Sequence, residues 1–139
     1  MAIERIWPDN VYVRMHPTFP GRRLFAQVVK ATGIRTSIHV AGTMSFDKDC
    51  NLVGEGSMRL QVRAILGMIG KSLAAAGARP ADVVRTKTYV TDMAAYLSEG
   101  HHEYLEFFGD DLPVSTTVGV TTLTDPRCLV EIEAYAEIE

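Results

Sequence analysis

Two stretches of this chain each carry one apolar stripe at helical spacing, and both are set among β-forming runs. From about Ser57 to Ala76, the residues Leu60, Ala64, Ile65, Met68, Ile69 and Leu73 recur at three- and four-residue steps. A helix patterned this way must bury one face and leave the other wet. Gly77 follows it, where a left-handed C-cap calls for a residue without a Cβ. Asp92 is placed to cap a second helix, its carboxylate accepting from orphan N–H groups. Met93, Tyr96, Leu97, His101, Tyr104, Leu105 and Phe108 form the second stripe, and Gly109 ends it. Gly100, inside this helix, costs about 1 kcal/mol relative to alanine and predicts a kink or a close contact there.

The remainder reads as strands. A short one runs from about Val11 to Met15, followed by the loop Pro17 to Gly21. Leu24 to Ala31 and Thr36 to Ala41 read as a hairpin turning around Gly33. Asp82 to Val90 separates the helices, and Thr116 to Thr122 and Leu129 to Glu137 finish the chain. This order implies an α+β fold with both helices side by side on one face of a sheet. In the last strand Val130, Ile132, Ala134 and Ala136 point one way, and Glu131, Glu133 and Tyr135 the other. On the strand before it, Val118 and Val120 oppose Ser115, Thr117 and Gly119. The non-helical face is therefore expected to be small and polar near these strand ends, with aromatics such as Tyr89 elsewhere. Such a face suits an oligomer interface containing a wet pocket.

Composition narrows the function. The 139 residues, 47% hydrophobic, make one domain spanning residues 1–139 with a real core. A formal charge of −3, from 14 basic and 17 acidic residues, argues against a nucleic-acid partner. The Arg22-Arg23 pair reads as a solvated turn. No run approaches the roughly twenty apolar residues that span a bilayer, and Met1 to Trp7 lacks a signal-peptide core. The expectation is a cytoplasmic protein with no membrane partner. Cys50 and Cys128 match no metal-binding spacing and read as reduced thiols. His101 and His102 diverge by about 100° on a helix and cannot both face one ion. No metal and no cofactor are expected. His101 belongs to a packed stripe, and His102 faces solvent or a neighbouring subunit. His16 and His39 have no partner visible in the sequence.

A family resemblance rests on several segments between Phe25 and Ala136. They are Phe25-Ala26-Gln27, Val40-Ala41-Gly42, Gln61 with Leu73 to Gly77, Asp82-Val83-Val84, Tyr89 to Met93, and Phe107-Phe108. Pro113 to Val120 and Leu129 to Ala134 complete the set. Together these resemble the reactive-intermediate imine deaminase family (Rid, also called YjgF). The resemblance implies a six-stranded mixed sheet with two helices on one face. It further implies a chorismate mutase-like homotrimer whose small-molecule sites lie in clefts between subunits. Carried over residue by residue, the family's water-associated glutamate falls on Glu131 and its small thiol or hydroxyl on Thr117. The pocket aromatic, usually tyrosine, falls on Phe25, and backbone near Ala41 and Gly42 lines the cleft. The carboxylate-clamping arginine of typical members falls on Ser115. Some members have been called endoribonucleases, a label the charge balance here does not support.

Loss of a bidentate arginine forfeits on the order of 1.5–3 kcal/mol, or roughly 10- to 150-fold in affinity for an imino acid. The pocket should prefer another ligand unless Arg14, Arg35 or Arg127 substitutes. Two functions follow from the cleft. One is a hydrolase or deaminase acting on an imine, enamine or related C–N bond, with Glu131 holding water and Thr117, Ser115 and Phe25 shaping the pocket. The other is a small-molecule-binding or regulatory trimer that kept the cleft without catalysis. A chaperone-like or scaffolding trimer is a third. Retention of Glu131 favours the enzyme, and the altered arginine and tyrosine positions favour the binder.

Overall fold

The computed structural model describes residues 1–139. Its strands are β1 (Ala2–Ile6), β2 (Val28–Thr32), β3 (Thr36–Thr43), β4 (Val83–Val90), β5 (Val114–Gly119) and β6 (Val130–Ile138). Helix α1 (Met58–Ala75) lies between β3 and β4, and the second helical layer lies between β4 and β5. Four strands form a sheet in the order β3-β6-β4-β5, with β4 and β5 parallel and the other neighbours antiparallel. The expected α+β class stands, and the six strands are mixed in direction. They are divided, however, because β1 and β2 pair as a separate antiparallel ribbon.

Helix α1 begins at Ser57, whose side chain accepts from Leu60 N, and ends before Gly77, which adopts φ +80. Its buried face includes Ile65, Ile69 and Leu73, as the periodicity implied, but it is rotated toward Val62 and Leu66. Leu60 is left 46% exposed. The rotation follows from Gln61, a buried polar residue that an apolar pattern ignores. Its amide donates to Gly54 O at 3.3 Å and Arg127 O at 3.1 Å, while its carbonyl accepts from Leu129 N at 2.8 Å. Three bonds that tie α1 to the backbone before it and to the loop before β6 outweigh the burial of one leucine.

Asp92 caps the second layer as expected, accepting from Ala95 N at 3.0 Å. The layer is α2 (Met93–Ala95), a π-helical turn Tyr96–Gly100 and α3 (His101–Phe108). Gly100 explains the irregularity. A Cβ there would come within 2.9 Å of both Tyr96 Cδ1 and Val62 Cγ2, so the helices pass too closely for a side chain. The core lies between these helices and the sheet, joining Val62, Ile65, Ile69, Tyr104 and Leu105 to Val83, Val90, Ile132 and Ala134.

Three strand assignments change. Val11 to Met15 is no strand, because within it only Met15 forms an isolated bridge, to Arg23. The first strand is Ala2–Ile6, fixed by tertiary bonds from Arg5 Nε to Leu112 O (2.8 Å) and from Trp7 Nε1 to Phe25 O (3.0 Å). The turn at Gly33 exists, with φ +72, but it joins strands of different sheets. β2 pairs with β1 and β3 pairs with β6, so the predicted hairpin does not form.

Candidate functional site

β6 carries the alternation read from its sequence. Val130, Ile132, Ala134 and Ala136 are buried beneath the helices, and Glu131, Glu133 and Tyr135 lie half-buried on the opposite face. Beside them the edge strand β3 is irregular. Val40 pairs with Ala134 but Thr43 with Ile132, so Ala41 and Gly42 fall in a bulge. Ala41 is exposed, and its carbonyl accepts from Thr43 Oγ1 at 2.9 Å. Gly42 lies directly against Glu131, so that a Cβ on residue 42 would collide with the carboxylate. The bulge thus makes room for one side chain, that of Glu131.

Gly42 and Glu131 open onto a cavity of about 550 Å3, completed by Tyr89, Val120, Thr122, Leu123, Thr124 and Glu133. The Tyr89 hydroxyl donates to Glu133 Oε1 at 3.0 Å. Glu133 is therefore held, while Glu131 faces open space without such a restraint. This far-face cavity has two carboxylates and no cation in its wall.

β5 overturns part of the sequence reading. Its parallel register sets Ser115 beside Thr86 and Thr117 beside Thr88, both of which are fully buried on the helix side. Residues paired in register share a face. Ser115 and Thr117 therefore point toward the helices, away from Glu131, whereas Val118 sits beside Tyr89 on the far face. The alternation along β5 was right; its phase relative to β6 is set by pairing through β4.

Ser115 and Thr117 line a second cavity, of about 220 Å3, with Phe25, Leu24, Met93, Leu97, His101 and Arg14. Beneath it Thr86 Oγ1 and Tyr104 Oη share a buried hydrogen bond of 2.6 Å. Burial pushes the Tyr104 phenol up to about 12, and the Thr86 and Ser115 hydroxyls partly offset that rise. His101 is packed as expected, 6% exposed, stacked on Tyr104 at 5.3 Å and on His16 at 5.5 Å. Burial, and then the neighbouring His16 and His102, push its pKa down to about 4, so its ring is neutral near pH 7. His16 is the partner the sequence did not reveal. It is also buried and accepts from Thr18 N at 3.1 Å, while the His102 ring stands edge-on to it at 4.8 Å.

The six candidate residues thus divide. Phe25, Ser115 and Thr117 share the helix-side cavity, and Ala41, Gly42 and Glu131 the far face. One chain does not bring Glu131 and Thr117 together. Among the alternative cations, Arg127 is engaged with Asp125 through Nη2–Oδ2 at 2.7 Å and Nε–Oδ1 at 3.1 Å. Arg35 sits in the turn before β3, bonded by its backbone to Ile138 O at 3.1 Å. Arg14 alone borders the cavity containing Ser115, and no sequence signal separated it from the other two. No group of three or more His, Cys, Asp or Glu is placed to hold a metal, and no helix is long and apolar enough to cross a membrane.

The family model described as Endoribonuclease L-PSP matches residues 21–138. Among solved structures, the chain is similar to the Rid-family protein of unknown function YyfB from Yersinia pestis. That similarity covers 99% of this chain and 100% of that one, at 30% identity and a TM-score of 0.83. It is also similar to Rv2704 from Mycobacterium tuberculosis, a member of the YjgF/YER057c/UK114 family. There the match covers 86% and 88% of the two chains, at 36% identity and a TM-score of 0.66. A putative endoribonuclease from Thermotoga maritima matches at 25% identity over 93% and 98% of the chains, with a TM-score of 0.70. The family model spans β2 through β6 and both cavities' principal residues, and this chain belongs to the Rid/YjgF family, which that model describes as endoribonuclease L-PSP.

Proposed function

We propose that this protein hydrolyses an imine, enamine or related C–N bond of a small metabolite, in a cleft that two protomers of a homotrimer complete. The observation that carries the reading is the room left for Glu131. A carboxylate without a protein partner, set in a cavity and given space by a glycine in a bulge, is arranged to hold a water. Its neighbour Glu133 is bonded and not free to do so.

In the proposed reaction the Glu131 carboxylate takes a proton from water as the water oxygen bonds to the imine carbon, and passes that proton to the imine nitrogen. The resulting carbinolamine collapses when the C–N bond breaks. Glu131 takes the hydroxyl proton as the carbonyl forms and hands it to the departing nitrogen, which leaves as ammonia or an amine. The imine carbon is already electrophilic, so the reading needs no cofactor. Thr117, Ser115 and Phe25 would shape the pocket from a second protomer, because within one chain they lie across the sheet from Glu131. The family model's name also suggests RNA cleavage; a chain with net charge −3 and an acidic cavity offers phosphates little attraction.

Two measurements test this reading. Light scattering at micromolar concentration should give about three times the 15.3 kDa chain mass, and a stable monomer would remove the shared cleft. Glu131→Gln keeps the side-chain shape and removes the base. It should lower turnover of imines generated in situ by about 10²- to 10⁴-fold, leaving the trimer and its melting temperature nearly unchanged. Full activity in that variant would discard the water-positioning role and leave ligand binding as the better account.

A further inference from the structure

We propose that the loop from Arg14 to Leu24 is a strap, fastened to the second helical layer by a stack of histidines and released by acid. The inference goes beyond the reaction proposed above and holds whatever the cavities bind. Three of the four histidines of the chain meet at one place. His16 belongs to the loop, and His101 and His102 open α3. The His16 ring lies parallel to that of His101, with centroids 5.5 Å apart, and edge-on to that of His102 at 4.8 Å. Phe19, from the same loop, packs on His102 at 5.3 Å. His16 and His101 are 5% and 6% exposed, and each keeps a buried ring nitrogen without a partner, Nε2 of His16 and Nδ1 of His101.

The loop is closed on itself. Leu24 N donates to Arg14 O at 3.0 Å, and His16 N donates to Arg22 O at 2.8 Å, so the segment can move as one body. Arg22 ties one part of it to the helical layer, its Nη2 donating to Leu105 O at 3.2 Å and to Gly109 O at 2.7 Å. The histidine stack ties the other. Arg14 and Leu24 line the helix-side cavity, so releasing the strap removes part of that wall.

The geometry turns a proton into a release signal. Thr18 N donates to His16 Nδ1 at 3.1 Å, so this nitrogen is an acceptor and the neutral ring carries its proton on Nε2. A second proton must go to Nδ1, where it meets the Thr18 N–H and ends that bond. The imidazolium would also lie against His101 and His102. No carboxylate acts on the stacked pair, and only the Leu97 carbonyl beside His16 and the Leu24 carbonyl beside His101 favour charged rings. Glu103 stands near His102 but is bound by Arg63 at 2.8 Å. The Tyr96 and Tyr104 phenols that face His101 have their pKa values raised by burial and stay neutral. Arg14, at the cavity shared with His101, and Arg22, over Phe19, add positive charge. Burial, and then the neighbouring imidazoles, lower the pKa of both His16 and His101, the latter to about 4. In the released loop the rings return toward 6.5. The closed strap is therefore fully favoured above pH 6.5, and release takes up protons as pH falls toward 4.

Hydrogen exchange of the full-length protein, read by mass spectrometry as protection factors, tests the proposal. Between pH 7.5 and pH 5.0 the protection of residues 14–24 should fall roughly thirtyfold from His101 alone, and further with His16. It should stay below that of β6 at both pH values and be insensitive to low urea, because releasing a loop exposes little surface. His16→Phe keeps a ring in the stack that cannot titrate, so the fall should shrink to the share of His101. Combining it with His101→Phe should nearly abolish the fall, and His39→Gln, outside the cluster, should leave it unchanged. Equal protection at both pH values in the unaltered protein overturns the proposal, whether or not the double variant folds. A fall of full size in the double variant also overturns it. So does exchange of residues 14–24 only together with β6 and with the same urea dependence, since the loop would then open only when the whole chain unfolds.

Discussion

The two faces of the four-stranded sheet carry cavities of opposite character. On the far side Glu131 and Glu133 stand in a partly polar recess with no cation, next to a bulge that keeps residue 42 without a side chain. On the helix side an apolar recess holds two hydroxyls, a neutral histidine and one unpaired arginine. One recess presents carboxylates and the other hydroxyls with a single guanidinium, and the sheet between them keeps these opposite charges of one chain apart.

The sharpest way to break this comparison is to disturb the far recess without touching the other. Gly42→Ala directs a methyl at the Glu131 carboxylate, which sits at the end of a flexible chain and can swing away. Turnover should fall nearly as far as in Glu131→Gln, by about 10²-fold or more. The melting temperature should hold, because residue 42 is exposed and its φ is not left-handed. Initial rates paired with thermal melts check this; an unchanged rate would mean that the carboxylate's position is immaterial.

A smaller effect isolates the helix-side recess. Burial lowers the pKa of His101 to about 4 and also lowers that of His16, from the ordinary 6.5. Below pH 6.5 the unfolded chain therefore binds protons that the folded chain refuses. The stability from the neutral rings is fully present above 6.5 and is lost as pH falls toward 4, with His101 contributing at most on the order of 3 kcal/mol. Denaturant unfolding at pH 7 and pH 4.5 should show this loss, at pH values above those where Glu103 and Asp125, whose carboxyls are held low by Arg63 and Arg127, lose their contribution. In His101→Gln the loss should be smaller, with a lower starting stability and a modest change in rate. An equal loss in the variant would show that the histidine stack does not control acid stability.

Much of this molecule was written locally. The Asp92 cap, the ends at Gly77 and Gly109, the irregularity at Gly100 and the alternation of β6 each depend on residues within a turn or two of one another. The placement of Glu131 opposite Val130 and Ile132 could be read for the same reason, since alternation needs no partner. Where the signal required a partner, reading by pattern failed. A β-run shows its two faces but not its neighbour, so the Gly33 hairpin was expected where β2 joins β1 and β3 joins β6. The phase of β5, which sends Ser115 and Thr117 away from Glu131, depends on its parallel register against β4. Gln61 and His16 looked like isolated polar residues because their partners are distant in the chain. The same holds for Arg14, which nothing in the sequence distinguished from Arg35 or Arg127. By itself the sequence determined the helices, their caps, the family and the face of β6 that carries Glu131, because those reside in local periodicity and residue identity. The tertiary structure decided which strands pair, which face each hydroxyl occupies and which arginine stands beside Ser115, because long-range hydrogen-bond register and loop anchoring leave no periodic trace.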